Sequence, residues 1–260
     1  NGDTTATVAG KSAATNCPFG VRRKIPLGYP LIMGLIWEKT QMGTLEWKLK
    51  YNHTAGVATV NLDNVPSIGS DSDVLIWQYK VDETTGGTTL FANAPQPFSA
   101  IRPEFEIYLQ SNSGSRTNAH KFELIGGSSI NSSIPPRKAN TECIYWINDL
   151  GFLDFYYFNG GFEIETESEK ISYVRGKKDF SLLDKQRFAV ASGKTIVKKT
   201  CYTEAVNQDT IMWLSEILRS SNVFVYDTLT RQLRSVEVIE GEANPLSFGG
   251  GSAQFNVTYI

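Results

Sequence analysis

Few residues of this chain have the types and spacing that chemistry demands. Its two histidines, His53 and His120, sit in polar, loop-like surroundings, and neither has an arguable partner for a Ser-His-Asp or Cys-His set. Cys17, Cys143 and Cys201 are too far apart in sequence for a CxxC pair, so a zinc site is unsupported. Three half-buried thiols in a reducing compartment fit this count, and so does a Cys143–Cys201 disulfide with one thiol left over.

Ser192-Gly193-Lys194-Thr195 has the ending of a phosphate loop, but the glycine needed five residues before Gly193 is replaced by Phe188. With strand patterns on both sides, a two-residue hairpin turn is the expected structure. Glu163, Glu165, Glu167 and Glu169 supply carboxylates of the kind used in glycoside hydrolysis, as do Asp149 and Asp154 beside aromatic residues. Alternation around Ile164 instead describes the wet face of a strand. Asp71 and Asp73 resemble part of a calcium loop without its glycine and closing glutamate, which favours an Asx turn. Gly249-Gly250-Gly251 precedes no helix signal and reads as a loop. No catalytic, cofactor-binding or metal-ligating residue is assigned, no cofactor is expected, and the chain is not expected to be an enzyme.

The elements that would position any site are mostly strands. Of 260 residues, 41% are hydrophobic and 20% charged, which rules out general disorder. A net charge of −2 argues against nucleic acid as the main ligand. The cationic clusters Arg22-Arg23-Lys24 and Lys198-Lys199 read as solvated strand edges. The apolar runs Pro30 to Trp37 and Phe152 to Phe158 fall far short of the roughly 20 residues that span a bilayer, so no membrane is expected.

Leu45, Trp47, Leu49 and Tyr51 alternate with charged residues, and Asn52 to Gly56 turns that strand into Val57 to Leu62. Strands are expected at Val74 to Val81, Thr88 to Phe91, Phe105 to Leu109 and Phe122 to Ile125. Gly126 to Pro136 is rich in Gly, Ser and Pro and reads as a linker. The expected organisation is a polar arm over 1–16, a β-rich domain over 17–127 and a second over 137–260. The arm Asn1 to Asn16 has no signal-peptide pattern and too little apolar surface to order itself, so a neighbouring subunit is expected to hold it.

In the second half, Cys143 to Ile147 and Phe152 to Phe158 are strands split by a tight turn at Asn148 to Gly151. Further strands fall at Lys170 to Val174, Arg187 to Ala191 and Thr195 to Tyr202. Gln208 to Ser220 instead has helical spacing, with Ile211, Leu214, Ile217 and Leu218 on one side and Asn207 as N-cap. Alternation then resumes at Val223, Val225, Val236, Val238, Phe255, Val257 and Tyr259. The fold class is mainly β, with β-sandwich-like domains and one packed α-helix in the C-terminal half.

Phe155 to Phe158 place aromatics on both faces of one strand, so a core plus an intersubunit contact is expected there. The stretch Trp146-Ile147-Asn148-Asp149-Leu150-Gly151-Phe152-Leu153-Asp154, with those aromatics after it, resembles a motif in tail and baseplate structural proteins of tailed phages and prophages of Bacteroidetes. In that motif a Trp, an Asn, a Leu-Gly turn and an Asp precede an aromatic strand. The similarity covers residues 140–260, including the helix, Ser221 to Tyr226 and the closing strands Leu233 to Ile239 and Phe255 to Tyr259. It implies a structural virion component, assembled in the host cytoplasm as a ring with itself and neighbouring tail proteins. It carries no catalytic residues. A cell-surface or carbohydrate-binding β-sandwich module is the alternative, and a glycan-degrading enzyme the third reading.

Overall fold

The computed structural model describes residues 17–18, 20–38, 45–64, 72–80, 89–111, 119–174, 188–245 and 252–260. Its first sheet runs β1-β7-β6-β3-β4. The strands are β1 (Arg22–Pro26), β3 (Leu45–His53), β4 (Gly56–Asn64), β6 (Ile101–Ser111) and β7 (His120–Ile125). β2 (Pro30–Glu38) and β5 (Ser72–Lys80) pair with each other. β1 is parallel to β7, and the other ladders of the sheet are antiparallel. Period-2 alternation sets the inner face: Trp47, Leu49, Tyr51, Phe105, Ile107 and Leu109 are all buried.

The second half adds β8 (Glu142–Ile147), β9 (Leu153–Phe158), β13 (Val223–Asp227) and β14 (Gln232–Val236), in the order β14-β13-β8-β9. A further sheet is built from β10 (Gly161–Val174), β11 (Phe188–Tyr202), β12 (Val206–Asn207), β15 (Val238–Pro245) and β16 (Ser252–Tyr259). Helix α1 spans Gln208–Leu214, and a 3-10 turn, Ser215–Leu218, continues it. The helix is shorter than its periodicity predicts because its last turn tightens. Its start is as expected, with Asn207 Oδ1 accepting from Thr210 N at 2.9 Å.

The β14-β13-β8-β9 sheet is the middle layer. Cys143, Tyr145, Phe155, Tyr157 and Tyr226 enter one core with the inner face of the first sheet. Ile144, Trp146, Phe158, Val223 and Val225 enter a second core with Trp213, Leu214, Ile217, Phe255 and Val257. Each strand thus divides its odd and even residues between two cores, the expected behaviour of a sheet covered on both faces. The mainly β, sandwich-like class with one short helix in the C-terminal half is what the structure has. No helix among the described residues is long and apolar enough to cross a membrane.

Several local expectations are corrected. The aromatics of β9 need no second chain: Phe155 and Tyr157 pack into the first core, and Tyr156 and Phe158 pack against the second. Ser192 to Thr195 is no hairpin turn but lies within β11, where Gly193 pairs with Lys170 and Lys194 with Glu169. The ladder wins over local turn propensity because both flanks already pair with β10, and the irregularity is absorbed as a bulge beside Ile171 and Ser172. Thr89–Phe91 forms a 3-10 turn instead of a strand.

The stretch expected as a linker, Gly126 to Pro136, is a packed loop. Gly126 N donates to Pro135 O, the Asn131 amide donates to Phe98 O and Ile101 O, and Ile134 is buried. The core containing Ile134 also takes residues from both sides of that loop. The arm Asn1 to Asn16, Asp71 and Gly249 to Gly251 lie outside the described residues.

Candidate functional site

The polar cluster at the centre of the molecule grows from the Trp146 to Asp154 stretch. β8 and β9 are joined by a turn in which Asn148 N donates to Phe152 O at 2.7 Å and Gly151 N donates to Asn148 O at 2.9 Å. The Asn148 side chain holds the turn from inside, its Oδ1 accepting from Leu150 N and Phe152 N, each at 3.0 Å. Gly151 has φ +83°, the left-handed conformation glycine adopts without a Cβ penalty. Asn148 Nδ2 then donates to Asp154 Oδ2 at 3.0 Å.

Asp154 is only 1% exposed and receives two further groups. Trp213 Nε1, from α1, donates to Oδ2 at 3.3 Å, and the Arg23 guanidinium, from β1, donates to Oδ1 at 3.3 Å. Arg23 is 3% exposed because the middle residue of the cationic run faces inward on β1. Its guanidinium lies 4.7 Å from the Phe122 ring centre and 5.0 Å from that of Phe155. Flat rings on the planar cation and a hydrogen-bonded carboxylate offset the desolvation of the charge. Nothing here offers a proton or nucleophile to solvent. Its chemistry is structural: it ties β1, the β8–β9 corner and α1 together.

The remaining candidates are dispersed. Asp149 is exposed and pairs with Arg219 at 3.1 Å, so it does not join Asp154 as a carboxylate pair. Glu163, Glu165 and Glu167 lie exposed along β10, where Lys198 Nζ reaches Glu167 at 2.6 Å. Glu169 and Asp73 also fall within strands, on β10 and β5. Arg22 pairs with Glu104 and Lys24 with Glu204, as a solvated edge would, whereas Arg23 does not. Lys199 pairs with Glu142 and lies over the Phe162 ring.

His53 Nδ1 accepts from Ala55 N at 3.2 Å inside its hairpin turn. Burial, helped by the nearby Arg23 charge, holds the His120 imidazole down to about 3. The three cysteines are free thiols, so no Cys143–Cys201 bond exists. Burial pushes Cys17 up to about 11 and Cys201 up to about 12, and raises Cys143 as well. Among the described residues no cluster of His, Cys, Asp and Glu could hold a metal ion.

The feature that the sequence reading missed is a long two-stranded ribbon. β10 and β11 pair from Gly161–Tyr202 out to Val174–Phe188, but β16 supports β11 only from Lys199 to Tyr202. Beyond that point, among the described residues, the two strands pair only with each other, over a length on the order of 30 Å. Among the described residues β10 is an edge along its whole length. One ribbon face carries Glu163, Glu165 and Glu167, and the other carries Ile164, 59% exposed, and Val197, 52% exposed. The signal was present in the unbroken alternation of Phe162 to Lys170, hidden by the turn-like Ser-Gly-Lys-Thr opposite.

This architecture is a layered, mainly β protein with a buried ionic corner and a projecting ribbon. No family model matches the chain, and no curated protein matches it.

Proposed function

We propose that the chain is a structural subunit of a phage tail or baseplate, assembling with copies of itself and neighbouring tail proteins in the virion. The observation that carries this reading is the ribbon, an open edge with exposed Ile164 and Val197. A lone two-stranded ribbon of this length is marginal in water, and a partner that adds a strand or covers its apolar face stabilises it. The resemblance of Trp146 to Asp154 to the tail-protein motif supports the same reading, since its Asn, Gly and Asp build a corner of the fold. No catalytic step is assigned to the chain.

Electron microscopy of the purified full chain, alone and with its neighbouring gene products, tests the reading. Rings or tubes are expected, and particles of single-chain size under every condition would contradict it.

The alternative, a carbohydrate-binding module, would use the shallow depression on the outer face of the first sheet. Its lining includes Arg22, Lys50, Asn52, Glu104, Glu106 and Lys121. Arg22–Glu104 and Lys50–Glu106 already pair across it, and Tyr51 beneath it is buried. The aromatic rings that line it, Tyr51 and Phe105, are both buried and offer a sugar no face to stack on, so the subunit reading is preferred.

A further inference from the structure

The ribbon edge is acidic and open, and the same chain carries a second open edge of opposite charge. Among the described residues β14 pairs only with β13 and ends the middle sheet. The turn before it is fixed by Asp227, whose Oδ1 accepts from Leu229 N at 2.8 Å, and this leaves Leu229 93% exposed at the tip. Arg231 and Arg234 are exposed beside it and make no ion pair among the described residues. On the ribbon, among the described residues, Glu165 likewise has no ion pair, and Glu163 accepts from the Tyr202 hydroxyl at 3.1 Å.

We propose that the β10 edge of one copy takes up the β14 edge of a second copy, extending the ribbon sheet head to tail. The inference rests on the self-associating reading above and names the contact. Strand addition leaves side chains on alternate faces, so the two patterns must agree in parity as well as charge. They do: when Arg234 lies on the face of Glu163 and Glu165, Leu233 falls on the face of Ile164. Leu229 at the tip adds apolar area to that contact. Because the two edges differ, the contact is heterologous and repeats into a ring or a filament. A second copy is the occupant because both complementary edges belong to one chain, whose net charge is −2.

The test uses charge reversal in the full chain, read by sedimentation velocity. Glu163→Lys/Glu165→Lys removes one edge, and Arg231→Glu/Arg234→Glu removes the other. Each variant alone should lose assembly, with at least a roughly tenfold weaker self-association. Mixed one to one, they should recover assembly as alternating copies, because every contact between unlike variants again joins a cationic edge to an acidic one. All four changes in one chain should restore assembly. Circular dichroism checks folding, and Glu163→Gln/Glu165→Gln, with no added charge, should weaken assembly in the same direction. Either reversal assembling like the parent would overturn this contact and leave self-association standing. A parent chain that stays monomeric would overturn both.

Discussion

Arg23 and Asp154 form an ion pair across the molecule, 3.3 Å from guanidinium nitrogen to Oδ1, with both side chains almost completely buried. One residue comes from the edge of the first sheet and the other from the middle sheet, so the pair stitches two layers. The same carboxylate takes a hydrogen bond from Trp213 on α1.

Breaking that pair leaves a buried charge with no counter-ion. Asp154→Asn should destabilise the chain by about 3–5 kcal/mol in denaturant unfolding. The double change Arg23→Met/Asp154→Leu should cost less than Asp154→Asn, because no charge is stranded. Equal or additive losses would show that the pair is not coupled.

Two glycines should respond differently to alanine. At Gly151 an added Cβ meets nothing within 4 Å, so only the left-handed backbone is penalised, about 1–2 kcal/mol. At Gly160 the Cβ would lie 2.3 Å from the Thr203 carbonyl oxygen, and backbone must move. Gly160→Ala should therefore give the larger drop in unfolding midpoint of the two.

The thiols should be inert in the native chain. Burial raises all three above the ordinary cysteine value, including Cys17, where Arg23 pulls the other way. Alkylation near neutral pH should be slow until denaturant is added, when three thiols should be modified. Rapid labelling of Cys17 in the folded chain would contradict its placement beside the second core.

His120 gives acid sensitivity of a definite sign. Its imidazole is neutral in the folded chain down to about 3, against an ordinary value of 6.5. Between those values the unfolded chain binds the extra proton, so stability is complete above 6.5 and falls as pH drops toward about 3. His120→Gln lacks this contribution. The stability difference between parent and variant should shrink below pH 6.5, as followed by urea midpoints on either side of that value.

Much of this fold was legible from alternation. Leu45 to Tyr51 and Phe105 to Leu109 are strands, with Trp47, Leu49, Tyr51, Phe105, Ile107 and Leu109 inward as expected, Asn207 caps the helix, and Asn148 to Gly151 turns between aromatic strands. Period 2 fixes which residues share a face but not what covers it. That is why the aromatics of β9 suggested a missing partner, when sheet and helix of the same chain cover both sides. Arg23 was obscured by its charged neighbours, although its inward parity on β1 follows from the buried Ile25. The ribbon was split because Ser192 and Gly193 are turn formers, and only pairing with β10 holds them extended. Gly126 to Pro136 has linker composition, yet Asn131 and Ile134 pin it to the core, a contact with no periodic signature.

Association with copies of itself is the property on which the proposed structural role stands. Sedimentation velocity of the purified full chain over a wide concentration range tests it most directly. The expected result is a weight-average sedimentation coefficient that rises with concentration toward a discrete ring or a growing series of multiples of 28.8 kDa. A single species of 28.8 kDa at every concentration, with neighbouring gene products present or absent, would contradict it.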